Sequence, residues 1–185
     1  MNIHEHEAKK YAEVWQIPEY HAYSHGEHWA DFFSKITGCK PGETVIDLGC
    51  GTGRGGKSLE SDYGLAPTYL DLVNVDKLTP FIEQPLWKPI PGSWDYGYCC
   101  DVMEHLPVEY TMLAVRNMLD ACGSVFFSIC FEQESFGDVV GENLHLTVMP
   151  FTWWRDRLKM VGNLLDARDM GAGNRMKAGT FYVTR

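Results

Sequence analysis

Val45-Ile46-Asp47-Leu48-Gly49-Cys50-Gly51-Thr52-Gly53 is the stretch on which the reading of this chain turns. An apolar run carries Asp47 near its end and passes directly into glycines at alternate positions, Gly49, Gly51 and Gly53. That pattern reads as a buried strand opening into a loop of nearly bare backbone and then a helix. Glycine is needed where the chain turns tightly at positive φ and where a ligand comes close to the backbone. The stretch is therefore a candidate cofactor cradle. The dinucleotide fingerprint G-x-G-x-x-G, begun at Gly49, needs glycine at position 54, where Arg54 stands. The register Gly51, Gly53, Gly56 satisfies it, so spacing alone leaves a nicotinamide or flavin site open.

Asp47 separates the alternatives better. With the glycines it resembles the D-x-G-x-G-x-G first motif of class I S-adenosylmethionine-dependent methyltransferases. The resemblance implies that the Asp47 carboxylate and the backbone of Gly49, Cys50, Gly51, Thr52 and Gly53 hold the methionine portion of S-adenosylmethionine. A dinucleotide site would aim helix amides at a pyrophosphate instead. The same family implies a carboxylate for the two ribose hydroxyls at the end of the second strand. Asp71, 24 positions after Asp47, competes with Asp76 for that place, and Asp71 is favoured because Thr68-Tyr-Leu-Asp71 fits the family's strand length. After the third strand the family brackets the adenine. Here Gln84 falls at its edge and Leu86 or Trp87 at its face, although Pro85 stands where an acid is common.

A second motif follows the fourth strand. Asp101-Val102-Met103-Glu104-His105 resembles the D-V-x-E-H segment of many small-molecule O-, N- and C-methyltransferases. It implies that Asp101 and Val102 lie against the cofactor and that Glu104 and His105 are catalytic, His105 as general base for a hydroxyl or amine. The alternative for His105 is to order the turn into the next helix. The [DNS]-P-P-[YFW] motif of base amino-methyltransferases does not occur at this place, and Cys99 and Cys100 lack the Pro-Cys setting of cytosine C5 enzymes, so packing is their expected role. The stretch from Leu144 to Trp154, taken with this segment, is similar to small bacteriophage-encoded methyltransferase homologues. His145 lies there on a long loop, where substrate-binding groups often sit, although a structural role is commoner for a lone loop histidine. Of Trp153 and Trp154, one is expected in the core and the other at the pocket border.

The remaining composition narrows the class. At 185 residues one domain with a sizeable core is expected. No apolar run approaches the ~20 residues that span a bilayer, and the polar N-terminus carries no signal core, so a cytoplasmic protein is expected. Six scattered cysteines without a C-x-x-C pair read as reduced, buried thiols. The net charge of −9 opposes non-specific attraction to nucleic acid, which disfavours it as partner and leaves a small molecule as the expected methyl acceptor. Arg155, Arg157, Lys159, Arg168, Arg175 and Lys177 are the candidates for a basic patch and read more simply as solvated positions. His21, His25 and His28 share helical spacing, but Gly26 interrupts them and no cysteine completes a zinc set, so no metal is expected.

Apolar stripes at Ala8, Tyr11, Ala12 and Trp15, and at Trp29, Phe32, Phe33 and Ile36, predict two helices before the first strand. Strands are predicted at 44–48, 68–73, 81–82, 94–100, 124–130, 163–167 and 180–184, with helices after Gly53, at 108–121 and at 152–161. This alternation implies an α/β, Rossmann-like, seven-stranded and mainly parallel sheet with helices on both faces and a closing antiparallel hairpin. Residues 1–43 are expected as an N-terminal helical cap on a core of residues 44–185. Residues 20–27 are expected as a lid that orders with the cofactor, since Pro18 ends the first stripe and Gly26 loosens the chain. The implied function is methyl transfer from S-adenosylmethionine to an O, N or C nucleophile. The alternative is a non-catalytic module that binds the same cofactor.

Overall fold

The computed structural model describes residues 2–22, 24–171 and 177–185. In chain order the elements are α1 (Ile3–Val14), α2 (Pro18–His21), α3 (Gly26–Thr37), β1 (Thr44–Leu48), α4 (Arg54–Tyr63), β2 (Ala66–Asp71), β3 (Phe81–Glu83) and β4 (Trp94–Cys100). A 3-10 turn (Met103–His105) leads into α5 (Val108–Ala121), β5 (Cys122–Cys130), α6 (Gly137–Val140), α7 (Phe151–Val161), β6 (Asn163–Asp169) and β7 (Ala178–Thr184). Asp166, Asp169 and the flanks of the Met170–Gly179 connection are described, whereas residues 172–176 of that loop, with Arg175, lie outside the described residues.

The seven strands form one sheet in the order β3-β2-β1-β4-β5-β7-β6. It is mixed, which corrects the expectation of a mainly parallel sheet. β1 through β5 pair in parallel, but β7 enters antiparallel between β5 and β6. The expected β6–β7 hairpin is present, and its second strand is what breaks the parallel run.

Strand alternation builds two apolar layers. Ile46 and Leu48 of β1, with Val125, Phe127 and Ile129 of β5, face α5 and α7, where Trp154 and Leu158 are fully buried. Val45 and Phe126 point the other way, onto Trp29 and Phe33 of α3 and Leu59 of α4. Helix α3 ends on Gly38 at φ 67, a left-handed cap that suits glycine. It is thus a wall of the core, and only α1 and α2 are left to cover the end of the sheet. Of the two adjacent tryptophans Trp154 is core, but Trp153 lies under the Arg157 guanidinium and lines neither cavity at the carboxyl ends of the strands.

Helix α1 also departs from its apolar pattern. Its buried positions include Glu7 and Lys10, an ion pair at 2.7 Å, beside Val14. Hydrophobic periodicity cannot register a face made from a neutralised pair of charges. Pro18 does not end α1; it opens α2, where the missing N–H is least costly.

Candidate functional site

The carboxyl ends of β1, β2, β4 and β5 lie at one edge of the sheet, the usual binding edge of open α/β folds. Two adjoining cavities open there, about 430 Å³ and about 90 Å³, and share Trp15, Tyr20, Gly49, Asp101 and His105 as walls. They form one trough with an aromatic roof from the N-terminal helices.

The cradle loop makes its floor. Gly49, Gly51 and Gly53 have φ of 75°, 51° and 70°, conformations costly for any residue with a Cβ. At Gly51 a Cβ would meet the Trp15 ring at 2.6 Å. The amides of Gly49 and Cys50 both donate to the Leu70 carbonyl, at 2.8 and 3.1 Å, which locks the loop to β2. Two acids complete the lock. Asp47 accepts from the Gly56 amide at 2.8 Å, and Asp71 accepts from the amides of Gly51 at 2.7 Å and Leu72 at 2.6 Å. Burial pushes the Asp47 carboxyl up to about 7, against the pull of its single amide donor. Burial likewise pushes Asp71 up to about 6, although backbone donors oppose it. The 430 Å³ cavity touches Asp47, Gly49, Cys50, Gly51 and Thr52, while Asp71, Gln84, Leu86 and Val102 line the smaller one. Gly53 lines neither and serves as the left-handed cap of α4. Asp76, the competitor of Asp71, is turned outward and bonds His21 at 3.0 Å.

Gln84 spends its amide on the Pro89 carbonyl at 3.1 Å, which leaves its oxygen for the trough. Trp87 stacks on Tyr110 with ring centroids 5.0 Å apart. These residues and Leu72 make the small cavity the more apolar end.

The other end is built by Asp101 and the turn after it. Asp101 sits at φ 61, a strained setting for a residue with a side chain, immediately beyond β4. Its carboxylate reaches toward His25 at 3.7 Å. Glu104 is fully buried below the trough; Oε1 accepts from the Cys130 amide at 2.5 Å, and its carboxyl lies against that of Asp101. Burial and the neighbouring Asp101 raise its carboxyl well above the usual carboxylate range. His105 lines both cavities. Its Nδ1 lies 2.8 Å from the Tyr11 hydroxyl. Burial raises the Tyr11 phenol well above its ordinary value, so the hydroxyl keeps its proton. Burial and the neighbouring His145 push His105 down to about 3, so it is neutral near pH 7, with Nδ1 engaged by the Tyr11 hydroxyl.

Sequence reasoning gave His145 too little weight. The loop after α6 is stitched to the 3-10 turn, because the amides of Leu146 and Thr147 both donate to the Glu104 carbonyl at 2.8 Å. This places the His145 ring edge-on to His105, centroids 4.5 Å apart, with Nδ1 donating to the Glu132 carbonyl at 2.5 Å. No sequence pattern announces this: Leu144, His145 and Thr147 are buried and Leu146 is exposed, which follows neither strand nor helix periodicity.

The other predicted groups disperse. His21 bonds Asp76 and His28 packs edge-on against Trp29, so the three spaced histidines do not converge. All six cysteines are unpaired; Cys50, Cys99 and Cys122 are buried and the rest partly so. Arg155 and Arg168 pair with Asp156 and Asp166 and Lys177 with Glu132, leaving no continuous basic face among them. Of the expected lid, Tyr20 and His25 line the trough, whereas Glu27 is held by Arg54 in a two-pronged contact at 2.6 and 2.9 Å. Tyr23 lies outside the described residues. No helix among the described residues is long and apolar enough to cross a membrane.

No family model matches the sequence, and neither does any curated protein. Solved structures do match. A TehB-like S-adenosylmethionine-dependent methyltransferase from Corynebacterium glutamicum is 19% identical at a TM-score of 0.65, covering 98% of this chain and 99% of its own. The magnesium protoporphyrin IX methyltransferase of Synechocystis, solved with bound S-adenosylhomocysteine, is 17% identical at 0.64, with 96% and 93% covered. The [4+2]-cyclase SpnF is 15% identical at 0.67, with 86% and 81% covered. The resemblance to bacteriophage-encoded homologues finds no support in these likenesses. At such identities the likeness is one of fold, and the fold is the α/β fold of S-adenosylmethionine-dependent methyltransferases.

Proposed function

We propose that this protein transfers the methyl group of S-adenosylmethionine to an O, N or C nucleophile of a small molecule. The reading is carried by one arrangement: two carboxylates at adjacent strand ends, Asp47 and Asp71, flank a left-handed glycine loop and face opposite ends of one trough. Asp47 receives the ammonium of the methionine portion and Asp71 the ribose hydroxyls. Leu86 and Val102 enclose the adenine, with the Gln84 oxygen at its edge. Gly49, Cys50, Gly51 and Thr52 carry the backbone against which the cofactor lies. Its sulfonium then falls beside Asp101, under Trp15 and Tyr20, whose ring faces favour a cation.

The acceptor occupies the larger cavity. When bound, S-adenosylmethionine would supply its methyl group to the acceptor's nucleophile, its carbon–sulfur bond breaking with the electron pair kept by sulfur to leave the thioether S-adenosylhomocysteine. The proton of a hydroxyl or amine acceptor leaves to water. Alignment supplies most of the rate. His105, neutral and bonded to Tyr11, acts by positioning the cap rather than as a base, and Glu104 acts by holding the end of β5. Fold alone does not settle the reaction, since SpnF, a cyclase, has the same architecture. Methyl-labelled S-adenosylmethionine incubated with the protein and a small-molecule extract is the test. Label in a metabolite fraction is the expected outcome; cofactor binding without label in any metabolite, nucleic-acid or protein fraction would leave a non-catalytic binding module instead.

A further inference from the structure

The acid end of the trough gathers ligand atoms whose convergence methyl transfer as described does not require. Asp101, Glu104 and His145 each present a ligand atom within 4.8 Å of the others. They come from two separate segments, the turn after β4 and the loop after α6, joined by the paired amide bonds to the Glu104 carbonyl. Two features point to a ligand. Glu104 is fully buried and lies within hydrogen-bonding reach of the Asp101 carboxyl, so two acidic groups meet where a proton or a cation must stand between them. His145, 5% exposed, gives its Nδ1–H to the Glu132 carbonyl, which fixes the tautomer and leaves the Nε2 lone pair as its free donor. A backbone carbonyl accepting from the far ring nitrogen is the usual way a metal-binding histidine is oriented.

We propose that Asp101, Glu104 and His145 bind one divalent cation at the floor of the acceptor cavity. Two carboxylates and one imidazole are hard-to-borderline donors, suited to Mn²⁺ and its first-row neighbours more than to a thiolate-seeking ion. A cation at roughly 2.1 Å from each donor needs donor separations of no more than about 4.2 Å, so closing the set takes a sub-ångström rotation of one or two side chains. Asp101 and His145 both line the cavity, so the remaining coordination positions face the acceptor. The site therefore favours acceptors with an oxygen donor, a hydroxyl or carboxylate, placed beside the transferred methyl. This inference sharpens the substrate class of the proposed reaction and rests on that reading only for the acceptor.

The test is Mn²⁺ binding to the full chain, followed by electron paramagnetic resonance and calorimetry without acceptor or cofactor. One site of micromolar affinity is expected. His145→Ala and Asp101→Asn should each weaken it at least tenfold while S-adenosylhomocysteine affinity changes less than threefold for His145→Ala, a control that also reports correct folding. Absence of Mn²⁺ and Co²⁺ binding below millimolar concentration, or binding indifferent to both substitutions, would overturn the proposal. Loss of S-adenosylhomocysteine binding by the unaltered protein would instead count against the methyltransferase reading.

Discussion

The two ends of the trough are built in different ways. The floor at Asp47, Gly49, Gly51 and Asp71 comes from two adjacent parallel strands and one loop, within 25 consecutive residues, with its acids held by backbone amides. The acid end and the roof take Tyr11, Trp15, Tyr20, Asp101, His105 and His145 from four stretches of chain, held by side-chain contacts. Backbone anchoring preorganises the first end before any ligand arrives. The second is completed by docking of helices that have few contacts of their own. Cofactor binding should accordingly depend on the first end and acceptor handling on the second.

The sharpest break in that comparison is Gly51→Val. A side chain there meets both a φ of 51° and the Trp15 ring, so cofactor affinity should fall at least a hundredfold. Circular dichroism of the variant would show whether the fold persists. Near-normal affinity in a folded variant would remove the cradle.

Asp47→Asn comes next, with opposite effects on binding and stability. Because burial raises the Asp47 carboxyl to about 7, the folded chain binds its proton more tightly than the unfolded one does. The stability this gives is fully present below about pH 4 and is lost as pH rises through about 7. Asparagine keeps an acceptor for the Gly56 amide and carries no charge. The substitution should therefore stabilise the free protein by up to about 4 kcal/mol at pH 8 and by little at pH 4. Affinity for the cationic cofactor should rise roughly tenfold per pH unit up to about pH 7 in the unaltered chain, and that slope should flatten in the variant. Thermal melts and calorimetry across pH 5–8 would read both.

At the other end Tyr11→Phe and His105→Asn remove the same hydrogen bond. Each should lower turnover roughly tenfold and stability by about 1 kcal/mol, with little change in cofactor affinity, and the double variant should do no worse than the more affected single one. Additive losses would separate His105 from the cap. Arg54→Ala should cost least, about 0.5 kcal/mol, because its ion pair with Glu27 is solvent-exposed. Hydrogen exchange should nonetheless accelerate around residues 24–28, and unchanged exchange would mean that other contacts hold this segment.

How much could be read from sequence follows the same division. The β1 strand, its three positive-φ glycines and the strand-end acids were legible because strand periodicity and glycine chemistry act over a few residues. Placing Asp71 rather than Asp76 in the trough needed only the strand's length. His145 was not legible, because its position is set by amides donating to a carbonyl 42 residues earlier than Leu146. Nor was α1, whose buried Glu7–Lys10 pair hides its inner face from any hydrophobicity pattern. The mixed sheet was half legible: alternating strands and helices announced its parallel part, and the insertion of β7 beside β5 is a tertiary choice.

The most direct test of the cofactor end is calorimetry of the purified full chain with S-adenosylmethionine, S-adenosylhomocysteine and NAD in parallel. One-to-one micromolar binding of the first two, none of NAD, and at least a tenfold loss in Asp71→Ala are expected. Preferential binding of NAD, or no binding of either adenosyl compound at any pH between 6 and 8, would contradict the assignment of this trough.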